Sequence, residues 1–596
     1  MPKIEVNEEV FYKLSGCLGK SRDEFEEALT CAKAELDEDS DKSLPIEERT
    51  LKIELNDTNR PDLWGMAGCA RQLRSYGGGA VPEYGFFSRP GNIKKTSYKV
   101  KVEAGVKQVR PFLAGFVATG KEISDPVLRD MIQTQEKLAW NFGRKRRCIS
   151  MGIYRIPLIK WPIIYKGADP DSVSFIPLQW DVPITLREVL RQHPKGKEFA
   201  FILEHEPVHP LLTDAEGFIL SYPPIINSND LGAVQVGDSE IFVELTGTDM
   251  PSLNLATSIV ACDLADNGFT IIPVEIEYEF DIPFGHDPSA ADKAGRTIVT
   301  PYYFQEPVFC SLSRVEKFLG EKLSADECAA ALTRMGVKAE KADAVERGQK
   351  TSVPEPGVLA YPPEYRNDFL HAADVMEDVM IGRSLGSFKP ERPADSTVGR
   401  LLPITLFSRQ VKELLIGMGY QEMIYNYLGS RKDLVENMRG ESSQLRGGRI
   451  IRIFNPMTEN YEYVRDSVLA SLMASESISG RSVYPHKIFE VGKVAWLVDT
   501  ENYKSLTRQF AGFLHAGTDA NFNTAAAELQ TLFYYLSREY DVEESSDPRF
   551  IPGRAAAIVY KGKQIGVFGE LHPELLENCG VTVPCTGGEI DLDELY

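Results

Sequence analysis

The chain has 596 residues, a net charge of −21, and 43% hydrophobic and 26% charged residues; a globular chain of this length outgrows one core and should form roughly three to five domains. No apolar run nears the ~20 residues of a membrane span, and Met1-Pro-Lys-Ile-Glu5 is no signal peptide, so no membrane association is expected. Nine cysteines without a C-x-x-C pair argue against a disulfide or zinc framework and for reduced thiols in a cytoplasmic protein.

Residues 1–90 read as a first α+β domain. Ser21 can cap a helix carrying Phe25, Leu29 and Ala32, with Glu24 as its capping-box partner. Leu51-Lys-Ile-Glu-Leu55 alternates as a strand, and Asn59-Arg-Pro-Asp-Leu63 follows it. Pro61 in a first helical turn with Asp62 near its N-terminus makes a helix start that needs no ligand. Gly77-Gly-Gly79 followed by Pro82 has turn or linker chemistry.

Residues 95–280 read as the largest unit, of α/β type. Tyr98–Glu103, Ala114–Ala118, Glu240–Leu245 and Ile271–Tyr278 carry strand patterns, and helices are expected over about 124–141 and Leu255–Asn267. The acidic balance of the whole chain opposes generic polyanion binding. Local basic clusters such as Arg144-Lys-Arg-Arg147, or a basic partner subunit, are left to make any phosphate contacts. His205-Glu-Pro-Val-His209 matches the zinc pattern H-E-x-x-H, but that pattern works only on a helix. Pro207 removes a helical hydrogen bond at a cost of about 3 kcal/mol, so the match is rejected.

Residues 300–395 read as a small helical domain. Val315–Leu319 and Ser324–Leu332 start two amphipathic helices that suggest a winged-helix-like module. Beyond them, Asp368, Asp374, Glu377 and Asp378 crowd into eleven residues. Asp374, Glu377 and Asp378 stand at i, i+3 and i+4 of a helix expected to begin near Asp368, which gathers three mutually repelling charges on one face. Hard oxygen ligands suit Mg²⁺; the alternative is early acids favouring the helix N-terminus and later ones on a solvated face.

Residues 398–596 form the last expected domain, with a helix from Val411 to Met418 ending at Gly419 and strands around Glu422–Tyr425 and Ile450–Phe454.

Four sets of residues carry a resemblance to the phenylalanine–tRNA ligase beta-subunit family. They are Arg366-x-Asp368 with Asp374-x-x-Glu-Asp378; Asn59-Arg-Pro-Asp-Leu63; Gln135-x-Lys-Leu138, Gly143-Arg-x-Arg146, Tyr222-Pro-Pro-Ile-Ile-Asn-Ser228 and Phe242-Val-Glu-x-Thr-Gly-Thr-Asp249; and Asn455-Pro-Met457, Val464–Leu469, Lys487–Gly492 and Phe568–Pro573. Together they span almost the whole chain. The resemblance implies a multidomain α+β protein. It places an editing domain over 95–280 that hydrolyses tyrosine wrongly attached to the phenylalanine tRNA. It also implies a Mg²⁺ site at Asp368, Asp374, Glu377 and Asp378, and an antiparallel class II synthetase-like domain over 398–596 that contacts the alpha subunit. Within the editing domain it implies Glu244 as the partner of the tyrosine hydroxyl, Thr246 and Asp249 as water-positioning groups, and Gln135, Arg146 and Ser228 as substrate-binding groups.

The last domain lacks both the F-R-x-E and G-x-G-x-x-R arginines of a working class II site, which implies catalytic silence. ATP would then be bound by the alpha subunit of an α2β2 heterotetramer that acts on the phenylalanine tRNA. The chain ends without a carboxyl-terminal anticodon-binding module, as in the archaeal and eukaryotic type. Ala139 and Arg155 stand where the family resemblance leads one to expect His and Asp. They leave open a scaffold subunit without editing, and an independent metal-dependent hydrolase is the more distant alternative.

Overall fold

Ile4 and Val6, like Leu51, Ile53 and Leu55, recur at every second residue, so each strand buries one face. In the computed structural model, which describes residues 3–57, 59–78, 80–230, 233–287, 290–345, 353–480 and 482–596, Lys3–Asn7 pairs antiparallel with Thr50–Leu55, and Ala34–Glu38 adds the third strand. The Ser21 capping box forms: Ser21 Oγ accepts from Glu24 N, and Glu24 Oε2 accepts from Ser21 N. Pro61–Leu63 is only a single 3-10 turn, and the helix proper is Met66–Gly78. Gly77 and Gly78 thus continue a helix instead of breaking it, and Gly79 lies outside the described residues. Arg60 donates to Asp62 at 2.8 and 2.7 Å, which accounts for both residues as architecture.

The chain divides into two units, Met1–Glu391 and Arg392–Tyr596. In the first, the dominant layer among the described residues is a twelve-stranded mixed sheet. At its centre, Glu240–Gly247 runs antiparallel between Phe112–Thr119 and Ile149–Arg155. Thr270–Tyr278 joins this core to the rest, pairing antiparallel with Phe112–Thr119 and parallel with Lys99–Val102. The apolar helix Met250–Asp266 covers the central strands, and Met66–Gly78 packs against that helix.

Residues 308–382 hold more than the helices the sequence announces. Val308–Ser311, Glu355–Tyr361 and Lys338–Ala344 form a three-stranded antiparallel sheet beside helices Leu312–Leu319, Ala325–Arg334 and Ala372–Gly382. Lys338–Ala344 consists only of charged residues and alanines, none of them buried, so it carries little apolar signal.

In the second unit, a seven-stranded sheet follows the order Gln421–Glu422, His486–Leu497, Ser505–Ala516, Cys585–Asp591, Lys563–Leu571, Phe550–Tyr560, Asp541–Glu544. All its pairings are antiparallel except the first. Both faces are covered: Ile488, Phe510 and Leu514 belong to one apolar cluster, and their neighbours Phe489, Ala511 and Phe513 to the other. Buried arginines stitch the interior. Arg465 meets Glu490 at 2.6 and 2.8 Å, and Arg549 meets Asp547 at 2.6 Å and Glu589 at 2.9 Å.

Burial alone would raise the Glu589 carboxyl, but Arg549 and Arg446 outweigh it and hold the group at about 2. A depressed carboxylate stabilises the fold above its ordinary range and loses that contribution as pH falls through the folded value. Wild type should therefore exceed Glu589→Gln by about 3 kcal/mol at pH 7. The gap should narrow progressively from about pH 4.5 to pH 2, as read by denaturant unfolding. A gap independent of pH would remove the ion pair as its cause.

Candidate functional site

The register of Glu240–Gly247 sets Glu244 opposite Gly115 on one side and Gly152 on the other. A Cβ at position 152 would overlap the Tyr154 hydroxyl and the Glu244 carboxylate, so only glycine admits both groups. Tyr154 donates to Glu244 Oε2 at 2.9 Å and hydrogen-bonds Ser221 Oγ at 2.8 Å. Glu244 Oε1 is buried without a protein partner. Burial drives the Glu244 carboxyl up to about 7 against the lowering pull of Tyr154 and Arg110. Glu244, Gly152, Tyr154, Ser221, Gln135 and Arg146 line a cavity of about 320 Å³. A polar side chain held at the wall of such a cavity is what orients a ligand.

The wall beside Glu244 is fixed by a residue the sequence did not single out. Arg110 is wholly buried and places all five of its N–H groups: on Thr246 Oγ1 and O, Ser150 Oγ, Arg146 O and Arg147 O, at 2.6–3.1 Å. The segment it holds is strained. Helix Asp125–Lys137 widens into a π-turn at Leu138–Phe142, and Arg144, Lys145 and Arg146 then take φ of 50, 55 and 64°. A side-chain-bearing residue in that region costs roughly 1–2 kcal/mol, so the conformation needs outside support. The result aims Arg146 at the cavity, where its guanidinium donates to Pro224 O and Ile225 O at 3.1 and 3.0 Å.

Of the six pocket residues proposed from sequence, the structure brings Glu244, Gln135 and Arg146 together and leaves three outside. Gln135 reaches Met151 O at 2.5 Å. Thr246 is buried one layer beneath, touching Ser150 Oγ at 3.0 Å, and does not line the cavity. Asp249 is exposed and caps helix Met250–Asp266 by accepting from Ser252 N at 2.9 Å, because the strand ends at Gly247 before it. Ser228 is buried in an isolated bridge to Pro177, its Oγ accepting from Asp230 N at 3.2 Å. Tyr154 had no signal of its own beyond strand alternation with Gly152. Ala139 and Arg155, the two departures, do not line the cavity: Ala139 is buried with its carbonyl accepting from Arg146 N at 2.8 Å, and Arg155 pairs with Asp238 at 3.0 Å. His205 is exposed in a turn while His209 is buried at a strand start, so the H-E-x-x-H residues share no helix face.

The acidic segment also resolves into separate roles. Helix Ala372–Gly382 begins four residues later than expected, capped by His371. Arg366 clamps Asp368 at 2.9 and 2.6 Å and Asp378 at 2.6 and 3.1 Å. Asp374 accepts from Leu370 N and His371 N at 2.7 and 2.8 Å, and Glu377 pairs with Lys33 at 2.6 Å. The compensating charge is therefore protein cation and helix N-terminus. Among the described residues, no three carboxylates, histidines or cysteines are grouped to hold a metal ion, so Asp368, Asp374, Glu377 and Asp378 do not fit Mg²⁺ as one ligand set.

Comparison with known proteins places these observations. Residues 390–592 match the family model of the phenylalanyl tRNA synthetase beta chain CLM domain, and residues 308–383 match the tRNA synthetase B5 domain. The chain is 42% identical to a phenylalanine–tRNA ligase beta subunit from Treponema pallidum, covering 100% of both chains. It is 43% identical to one from Borreliella burgdorferi, covering 100% of this chain and 99% of that one. An N-terminal fragment of the phenylalanyl-tRNA synthetase beta subunit from Pyrococcus horikoshii superimposes with a TM-score of 0.55 at 32% identity, covering 64% of this chain and 99% of the fragment.

Two outcomes follow from the placements above. Asp378→Asn breaks a buried clamp and should lower stability by about 3 kcal/mol, equally in Mg²⁺ and in EDTA. A Mg²⁺-specific stabilisation of wild type that vanishes in the variant would restore these acids as a metal site. Asp249→Ala removes a helix cap and should cost about 1 kcal/mol in thermal unfolding while leaving any ligand affinity of the cavity unchanged.

Proposed function

The chain belongs to the phenylalanine–tRNA ligase beta-subunit family, and from that premise we propose that its first unit hydrolyses tyrosine wrongly esterified to the phenylalanine tRNA. The chain is thus a subunit of an aminoacyl-tRNA synthetase. Aminoacylation itself, with ATP and its Mg²⁺, is assigned to a partner alpha subunit in a cytoplasmic α2β2 enzyme. Exposed apolar side chains of the second unit, among them Ile424, Phe454, Met457 and Ile478, offer surface for that partner to bury. No described helix is long and apolar enough to cross a membrane.

One observation carries the editing reading: Glu244 Oε1 is a buried acceptor without a protein partner at the wall of the cavity. Tyrosine and phenylalanine differ by one hydroxyl, and a pocket that admits phenylalanine excludes tyrosine poorly by size. A second site selects the other way when its polar group is satisfied only by the phenol. Phenylalanine entering this cavity would leave Oε1 unpaired, a penalty of about 1–3 kcal/mol. Tyr154 holds the other carboxylate oxygen, so Glu244 does not turn away from the ligand. Gln135 and Arg146 would bind the esterified end of the tRNA. Water then attacks the ester carbonyl, the ribose oxygen leaves with a proton, and free tyrosine and intact tRNA result.

The rival is a scaffold subunit that retains the fold without hydrolysis, for which Ala139 and Arg155 are the motive. Purified Tyr-tRNA presented to the assembled enzyme decides between them. Hydrolysis well above the buffer rate is expected, and an ester as long-lived as in buffer selects the scaffold. Glu244→Ala should lose roughly tenfold or more in preference for Tyr-tRNA over Phe-tRNA, with aminoacylation by the complex unchanged. The chain without its partner should form no Phe-tRNA from phenylalanine, ATP and tRNA.

A further inference from the structure

Four cation–aromatic pairs crowd one edge of the cavity. Arg146, itself lining the cavity, lies 4.2 Å from the centre of the Phe199 ring, and Lys195, also lining it, lies 5.6 Å from the same ring. Trp140 meets Phe199 edge-on at 6.4 Å and carries Lys145 at 5.3 Å. Arg147 sits 4.8 Å from Phe201. Trp140 and Phe201 remain 46% and 39% exposed. Among the described residues, no carboxylate lies within ion-pairing distance of Arg144, Lys145 or Arg147. In a chain with net charge −21, three adjacent cations without acidic partners are a local reversal of sign. They also occupy the strained segment pinned by Arg110, and the π-turn that carries Trp140 is a feature found disproportionately at functional sites.

We propose that this rim, with Trp140 and Phe201 as stacking platforms and Arg144, Lys145 and Arg147 as phosphate contacts, binds the single-stranded 3′-terminal nucleotides of the tRNA whose aminoacyl group enters the cavity. The proposal rests on the editing reading of that cavity. Exposed aromatics interleaved with cations are the surface that single-stranded nucleic acid takes, because every base has a face to stack and every linkage a charge to neutralise. A protein partner would be expected to bring carboxylates and leave the ring faces covered by side chains.

The test uses the assembled enzyme with two probes. In the first, tRNA carrying a photoreactive thiopyrimidine next to its 3′-terminal nucleotide is cross-linked. Attachment to the peptides bearing Trp140 or Phe201 is expected, and its loss in Trp140→Ala with recovery in Trp140→Phe. In the second, Tyr-tRNA hydrolysis is followed. Trp140→Ala and Phe201→Ala should each raise KM roughly five- to a hundredfold with kcat little changed. Lys145→Ala should flatten the salt dependence of tRNA binding at this site by about 0.7 in log–log slope. Cross-links absent from both peptides, or equal loss of kcat and KM performance in the Phe variant, overturn the proposal. If cross-links form as expected while wild type leaves Tyr-tRNA intact, the rim stands and the editing reading falls.

Discussion

A wholly buried guanidinium that, among the described residues, makes no ion pair is the constraint on which the candidate site depends. A charge removed from water persists only when its hydrogen-bonding capacity is filled, and Arg110 fills it with hydroxyls and carbonyls from three separate segments. Burial lowers its affinity for a proton to about 10, still well above neutrality, so the charge remains. The same five bonds join the strand that bears Glu244, the strand that bears Gly152 and Tyr154, and the left-handed turn that bears Arg146. Those three segments form the wall and mouth of the cavity. Arg110 does not itself line the cavity, which explains how so consequential a residue escapes a search for ligand-facing chemistry.

Elsewhere the protein uses arginine in a second way, as a buried clamp on its own acids. Arg60 holds Asp62, Arg71 holds Asp263, Arg366 holds Asp368 and Asp378, Arg465 holds Glu490, and Arg549 holds Asp547 and Glu589. Against a well-packed apolar alternative such pairs add little stability, but losing one partner strands a charge in low dielectric. They therefore specify one arrangement more than they deepen it. The second unit illustrates the consequence: its interior arginines are already neutralised by carboxylates of the same sheet and its neighbouring turns. Their protein partners account for them without a nucleotide.

The cavity beside Glu244 and the acidic segment contrast in how polar groups are left. Around Asp368 to Asp378 every carboxylate has a donor from the chain. At Glu244 one oxygen has a donor and the other has none, although both are buried. A buried unsatisfied carboxylate oxygen on a cavity-lining residue is a stronger pointer to a ligand than four satisfied carboxylates close in sequence, because the first carries a desolvation cost that only a ligand or solvent relieves.

Local chemistry was legible in the sequence wherever the cause is local. The capping box at Ser21, the alternation of Leu51 to Leu55, the long helix from 125 and the helix-breaking Pro207 all follow from residues a few positions apart, and the motif spacings identified the family. Glu244, Gln135 and Arg146 were likewise reachable, since their motifs flank the cavity. What only the tertiary structure decided is pairing across distance. Arg366 and Lys33 turned an apparent metal cluster into three structural contacts, since spacing along a helix places charges on a face without saying what the rest of the chain brings to that face. Asp249 left the site because its strand ends at Gly247, where the ladder set by Ile149–Arg155 and Phe112–Thr119 ends, and Thr246 because Arg110 and Ser150 take up its hydroxyl beneath the cavity. Tyr154 and Arg110 entered it for the same reason: their partners lie dozens of residues away, and hydrogen bonds between strands are fixed by register, which no single stretch of sequence contains.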